Sequence, residues 1–252
     1  MFRVLPHIIL TASALLVAGC SAPGAGEFND PYEDVNRSWH ETNTIIDRGV
    51  IDPVSTAYGT VVPDPVRRGV SNVSDTLSLP GMVVNDVLQL QLGDAVHNTA
   101  RFALNATLGI GGLFDPASEV GLEERESDFG ETLHVWGVRE GAYLVLPLYG
   151  PSTERDAAGL LVDIALDPVG HLLGTRERDL RAELKAAELA DTRYRYSDLY
   201  ESVLYESADS YSQMRLSYLD NRRYALGVPI VPNEGEEEQS TATYDIYEDF
   251  YE

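Results

Sequence analysis

Cysteine is almost missing from this chain. One thiol, Cys20, stands among 252 residues, so neither an internal disulfide nor a thiolate metal cluster can form. Basic residues are scarce too, with 18 Lys and Arg against 41 Asp and Glu and a formal net charge of −23. A surface so acidic repels phosphate backbones, which argues against nucleic acid as a partner. Long hydrophobic runs are also lacking. Ile8 to Val17 and Ala157 to Leu166 are about ten residues each, well short of the roughly 20 that a membrane-crossing helix needs.

Signatures of catalysis are equally sparse. His7, His40, His97, His134 and His171 are widely spread and form no H-E-x-x-H pair for zinc. No G-x-S-x-G elbow exposes a nucleophilic serine, although a Ser/His/Asp set assembled from distant segments stays open, because triads are spatial. Asp128-Phe129-Gly130 spells the kinase magnesium motif without the glycine-rich loop and strand lysine that should precede it. Gly109-Ile110-Gly111-Gly112 lacks the Lys-Ser/Thr of a phosphate loop. No pair of carboxylates stands out as acid and base. The expectation is a protein that is not an enzyme and carries no cofactor or metal.

What is present begins at the N-terminus. Met1 to Gly19 holds one positive residue, Arg3, then the apolar run, then Val17-Ala18-Gly19-Cys20. This reads as a bacterial lipoprotein signal over residues 1–19, removed ahead of Cys20. An ordinary signal peptide that happens to hold a cysteine is the plainer alternative. Acyl chains on Cys20, at about 0.8 kcal/mol per buried methylene, would give a stable anchor. Residues 20–29 then form a lipidated flexible tether. Ser21 implies the outer membrane by resemblance to lipoprotein sorting rules.

Residues 30–232 should fold as a single, mainly α-helical domain. Asn29 or Asp30 ahead of Pro31 marks a helix start, and Val35, Trp39, Thr42 and Ile46 share one face of that helix. Pro53, Pro63 and Pro65 each end a helix or open the next. Val96, Ala100, Ala103, Leu104, Thr107 and Leu108 recur at helical spacing, with Asp94 placed to cap the first turn and Gly109 placed for a left-handed C-terminal cap. Gly109 to Gly121 reads as a loop. The apolar segment ending at Leu166 stops at Asp167-Pro168. Glu177 to Leu226 reads as one long helical region with a tyrosine-rich face that includes Tyr196, Tyr200, Tyr211 and Tyr218. Such a face suits ordinary helix packing or a membrane interface. Residues 233–252 are acidic and should form a disordered tail, with interleaved Tyr244, Tyr247 and Phe250 leaving a docking motif open.

The stretch from Arg101 to Asp156 is densest in Gly, Pro and aromatic residues. Two apolar runs, Leu133 to Val138 and Tyr143 to Leu146, flank a turn with Gly137 and Gly141 at its ends. That pattern predicts a short hairpin-like excursion, which Pro147 confines to an edge. The order Arg101-Phe102, Asn105, Gly109, Gly112, Asp115, Asp128-Phe129-Gly130, Trp136-Gly137-Val138, Gly141, Tyr143-Leu144-Val145-Leu146-Pro147, Gly150-Pro151-Ser152 and Arg155-Asp156 resembles the signature of the VacJ/MlaA family of outer-membrane lipoproteins. Asp30-Pro31, Asn36-Arg37 and Asn43 keep that family's first-helix pattern, while Val35 and Thr42 stand where aromatics are common.

The resemblance spans Asp30 to about Gly227 and implies a ring-like helical body lying along the periplasmic side of the outer membrane. It implies retrograde phospholipid transport that maintains lipid asymmetry: phospholipid leaves the outer leaflet through an amphipathic channel. An outer-membrane porin trimer, a soluble periplasmic lipid carrier and, through it, an inner-membrane ABC transporter are the implied partners. Gly137, Gly141, Tyr143, Leu144, Leu146 and Pro147 are the candidate channel or gating residues, since both glycines permit hinge-like dihedral changes; a plain turn is the competing reading. A structural tether without lipid transport and a periplasmic phospholipase are the alternatives from other classes.

Overall fold

The computed structural model describes residues 28–228. The expected signal, Cys20, most of the tether and the acidic tail from 233 lie outside the described residues. The chain divides into two compact units, one ending at Met214 and the other beginning at Arg215. Among the described residues helices dominate and one two-stranded sheet interrupts them, as the sequence led us to expect.

The first helix, α1 (Glu33–Ile46), does not end at Pro53, which instead opens the next helix, the other role the sequence allowed. It continues through a π-helical turn, Asp47–Ile51, into α2 (Asp52–Val61). The Asp52 N–H bonds back to Asp47 O, a five-residue step. Such a turn gives a proline in the next turn room for its ring and skips the bond it cannot donate. The real break is at Val62, whose extended backbone (φ −89°, ψ 122°) precedes Pro63 as proline sterics require.

Helices α3 (Asp64–Leu88) and α4 (Leu92–Thr107) pack on each other through a short turn in which Leu90 takes φ 62°. Asp94 does not cap α4. The helix starts two residues earlier, and the Asp94 carboxylate meets Arg125 instead, while its charge still suits the first turn. Gly109 is not the left-handed residue either, since Ile110, Gly111 and Gly112 take that role at φ 55°, 72° and 90°. Gly109 is needed for space: a Cβ there would lie 2.3 Å from Phe114 O and 2.4 Å from Asn105 O. The expected loop also contains a helical turn, α5 (Pro116–Glu119), capped by the Asp115 carboxylate.

The hairpin exists, but it is displaced. Leu133 to Val135 belongs to a helix, α6 (Phe129–Val135), because Asp128 caps it by accepting the Glu131 N–H at 2.8 Å. Short apolar runs cannot distinguish helix from strand by periodicity; the cap decided. The strands are β1 (Tyr143–Leu146) and β2 (Gly150–Thr153), antiparallel, with Tyr143 opposite Thr153 and Leu146 opposite Gly150. Pro147 therefore sits in the hairpin turn, where no ladder N–H is required. Thr153 caps α7 (Glu154–Leu166), which stops at Asp167 as expected and is followed by α8 (Pro168–Leu172). Helices α6 and α7 approach so closely that a Cβ on Gly159 would lie 2.4 Å from Gly130 N.

The long C-terminal helical region is broken into α9 (Thr175–Arg195), α10 (Ser197–Glu201), a second π-helical turn, Ser202–Glu206, and α11 (Ser210–Ala225). Helix α9 packs against α2 and α3.

Burial runs opposite to that of a water-soluble helical protein. The buried side of α1 is Asn36 and His40, while Val35, Trp39 and Ile45 are exposed. On α4 the buried side is Ala95, Asn98, Arg101 and Asn105, and Val96, on the apolar stripe picked out by the sequence, is 70% exposed. Among the described residues, buried polar side chains outnumber buried apolar ones. An amphipathic helix in water buries its apolar stripe; these helices turn it outward. No described helix is long and apolar enough to cross a membrane.

Candidate functional site

The polar interior is held by hydrogen bonds between distant segments. Asn98 donates to Asp86 at 2.9 Å, Asn85 to Asp163 at 2.8 Å, and Gln89 to Thr132 at 3.0 Å. Arg101 binds Asp115 and Ser118, while Asn105 donates to Asp115 and accepts from the Ala117 N–H. These bonds offset the cost of burying polar groups.

Two interior carboxylates are less well matched. Asp75 is pushed up to about 7 by burial, then by the nearby Glu124 and Glu188 carboxylates, against the opposing pull of Lys185 and Arg101. Burial likewise raises Glu124, with Arg101 opposing. Because Asp75 binds its proton more tightly folded than unfolded, the stability it contributes is complete below about 4 and is lost as pH rises through 7. Asp75→Asn should therefore flatten the pH profile. Melting temperatures of wild type and variant between pH 4 and 8 should diverge in favour of the variant at the alkaline end, on the order of 2–4 °C for each kcal/mol. Parallel profiles would refute the assignment.

The predicted gating segment is anchored to α1 at its hairpin end. Two asparagines seven residues apart on α1 act as surrogate partner strand for β1. Asn36 donates to Tyr143 O and accepts from the Val145 N–H, both at 2.9 Å. Asn43 donates to Leu146 O and accepts from the Leu148 N–H, again at 2.9 Å each. Tyr143 is buried, its ring 6.0 Å from that of Tyr211, while Leu144 and Leu146 are half-buried and Pro147 is exposed. Gly137 and Gly141 lie outside the hairpin, after α6 and before β1, at φ 86° and 77°. A Cβ on Gly137 would meet nothing within 4 Å; one on Gly141 would come within 2.5 Å of the Glu154 carboxylate. The structure thus brings Tyr143, Leu144, Leu146 and Pro147 together on β1 and its turn and sets both glycines apart from them.

The structure also speaks to the triad left open by the sequence. His40 Nε2 lies 2.8 Å from Ser210 Oγ, the spacing of a nucleophile and its base. The adjacent carboxylate, Asp209, is instead held by both terminal nitrogens of Arg37 at 3.0 Å and by Ser212. Burial lowers the His40 pKa, and its ring packs edge-on to Tyr211. Among the described residues no carboxylate hydrogen-bonds to this histidine, and Asp209 is committed to Arg37 and Ser212.

Sequence reasoning missed a second junction. Asp47, in the first π turn, accepts from Arg193 Nε and Nη2 at 3.1 and 2.9 Å and from the Tyr205 hydroxyl at 2.5 Å; Tyr205 lies in the other π turn. No periodicity announces a π turn. An acidic residue just ahead of a glycine and a proline was the available signal.

Comparison with known proteins agrees with this architecture. A family model described as MlaA lipoprotein matches residues 28–225. The intermembrane phospholipid transport system lipoprotein MlaA of Escherichia coli K12 is 31% identical over 92% of this chain and 93% of its own. The protein of the same name from Haemophilus influenzae is 30% identical over 86% of this chain and 90% of its own. An uncharacterized protein of Rickettsia bellii is 32% identical over 82% and 80%. A solved chain from work on the structural basis for maintenance of bacterial outer membrane lipid asymmetry superimposes with a TM-score of 0.68 at 31% identity, covering 78% of this chain and 98% of that one. With its helices, its hairpin and its inverted burial all in place, the chain belongs to the MlaA lipoprotein family.

Proposed function

We propose that this protein maintains outer-membrane lipid asymmetry by removing phospholipid from the outer leaflet and passing it inward. The observation that carries this reading is the inverted burial: apolar helix faces turned outward suit the acyl region of a leaflet, and polar groups turned inward suit a phospholipid head. The relatives named for intermembrane phospholipid transport support it. The protein is an outer-membrane lipoprotein on the periplasmic side, anchored through acyl chains on Cys20. It works with an outer-membrane porin trimer, hands lipid to a soluble periplasmic carrier and, through that, to an inner-membrane ABC transporter. It performs no chemistry on the lipid and needs no cofactor.

The segment from Gly137 to Pro147 is the gate. Its far end is fixed to α1 by Asn36 and Asn43, while Gly137 and Gly141 hold dihedrals that other residues resist. Gly137→Ala tests the hinge, because a Cβ there meets nothing within 4 Å and the substitution acts only by penalising the left-handed backbone at φ 86° and narrowing its freedom. Lipid removal should fall toward the deletion level in a folded variant; undiminished removal would leave the glycine a plain turn residue.

The reading as a whole is tested by labelling outer-leaflet phosphatidylethanolamine with a membrane-impermeant amine reagent. Deletion of the gene should raise the label, and wild type but not Cys20→Ala should restore it. An unchanged label would favour a structural tether.

A further inference from the structure

Arg155 is buried, only 3% exposed, yet its guanidinium is under-used. Nε donates to Oδ1 of the adjoining Asp156 at 3.2 Å, Nη1 lies 3.4 Å from Nδ1 of His134, and Nη2 has no hydrogen-bond partner among the described residues. Arginine has donors only, so His134 Nδ1 accepts at this contact. The other buried arginines are better served. Arg193 grips Asp47 with two nitrogens, Arg101 holds Asp115 at 2.8 Å, and Arg67 meets Asp191. Arg101 and Arg193 each leave one nitrogen unpartnered, but each has a carboxylate from a distant segment on another. Among the described residues the acidic partner of Arg155 is its chain neighbour Asp156, in a bond longer than the roughly 2.7–2.9 Å of a charge-assisted pair. A buried cation kept with so little compensation has room for another anion.

The gate is joined to the main chain at this residue. The Arg155 backbone N–H donates to Glu140 O at 3.2 Å, and the Glu154 N–H donates to Ala142 O at 2.9 Å. His134 lies in the last turn of α6, three residues before Gly137. Movement of residues 137–141 about their two glycines would therefore pull on the backbone at Arg155 and on the end of the helix that carries His134.

We propose that Arg155 and His134 form a phosphate-ester site next to residues 137–141, and that its ligand is the phosphodiester of a phospholipid head; this rests on the transport reading above. A phosphodiester spreads one charge over two non-bridging oxygens, which the flat edge of a guanidinium matches with two parallel bonds and a lysine ammonium does not.

The test uses the full lipidated protein in detergent with isotope-labelled arginine, following the Arg155 Nε–H resonance. The probes are dihexanoylphosphatidylglycerol, inorganic phosphate and dihexanoylglycerol, which lacks phosphate. A saturable shift with the phospholipid and none with dihexanoylglycerol is expected. A shift with phospholipid alone assigns the site to a lipid head; an equal shift with inorganic phosphate keeps the anion site and assigns it to free phosphate. By phosphorus NMR line broadening, Arg155→Gln should bind the phospholipid about tenfold more weakly, with Arg155→Lys between. No shift with either phosphate probe, or equal affinity in folded Arg155→Gln, overturns the site. If Arg155→Gln does not fold, the wild-type resonance and His134→Gln decide. In cells, full restoration of asymmetry by Arg155→Gln would overturn this site and leave the transport reading standing, whereas failure of wild type to restore it would overturn the transport reading.

Discussion

Replacing Asp47 by alanine should lower the unfolding free energy by about 3–5 kcal/mol. Asp47 is 7% exposed and Arg193 3% exposed. Asp47 accepts two bonds from Arg193 and one from Tyr205. Removing the carboxylate leaves Arg193 buried with Asp52, 3.2 Å from Nη2, as its remaining acidic partner, and leaves the Tyr205 hydroxyl, in the second π turn, without this acceptor. The loss comes from the orphaned charge more than from the pair's own worth, so the double variant Asp47→Leu with Arg193→Met should recover much of it. Urea unfolding followed by circular dichroism measures both. A single-variant loss under about 1 kcal/mol would mean that water reaches Arg193 and that the junction is not dry.

Asn36→Ala comes next, with an expected loss of about 2–4 kcal/mol. Asn36 is 2% exposed and serves Asp30, Tyr143 O and the Val145 N–H at 2.9 Å each. Alanine strands the two backbone groups of β1 away from water, and an unmet buried group loses its full desolvation energy. Asn36→Asp is the sharper probe. It keeps the shape and the acceptor for Val145, but an ionised carboxylate cannot donate to Tyr143 O or to Asp30. It should be at least as damaging as alanine at neutral pH. Exchange of the Val145 and Leu148 amides with heavy water locates the effect: Val145 should exchange faster in the Asn36 variants, and Leu148 should respond instead to Asn43→Ala. If both amides keep their protection in Asn36→Ala, the asparagine clamp does not hold the hairpin.

Much of the fold was legible because it depends on local chemistry. Asp167-Pro168 ends α7, Pro63 breaks α2 from α3, and helical spacing found α4, since each signal acts within a few residues. The misreadings share a cause. Leu133 to Val138 has no period long enough to choose between helix and strand, and Asp128, three residues ahead of Glu131, chose helix. Asp94 looked like a cap but answers to Arg125, 31 positions away. Pro53 opens a helix, as the sequence allowed, but a π turn and not a break leads into it.

The candidate site was legible in part. Gly137, Gly141 and the run from Tyr143 to Pro147 stood out by residue type, and Asn36 and Asn43 stood out by family pattern. That the asparagines grip β1 across more than a hundred residues was invisible, because side-chain amides report no partner in sequence.

By itself, the sequence determined the helical class, the breaks at Pro63 and Pro168, the acidic charge and the family pattern, because capping, proline geometry and composition are properties of neighbouring residues. The tertiary structure alone decided which face of each helix points inward. A hydrophobic period marks a stripe but not its direction, and here polar partners from distant segments, Asn98 with Asp86 and Asp47 with Arg193, drew the polar faces together and left the apolar ones outside.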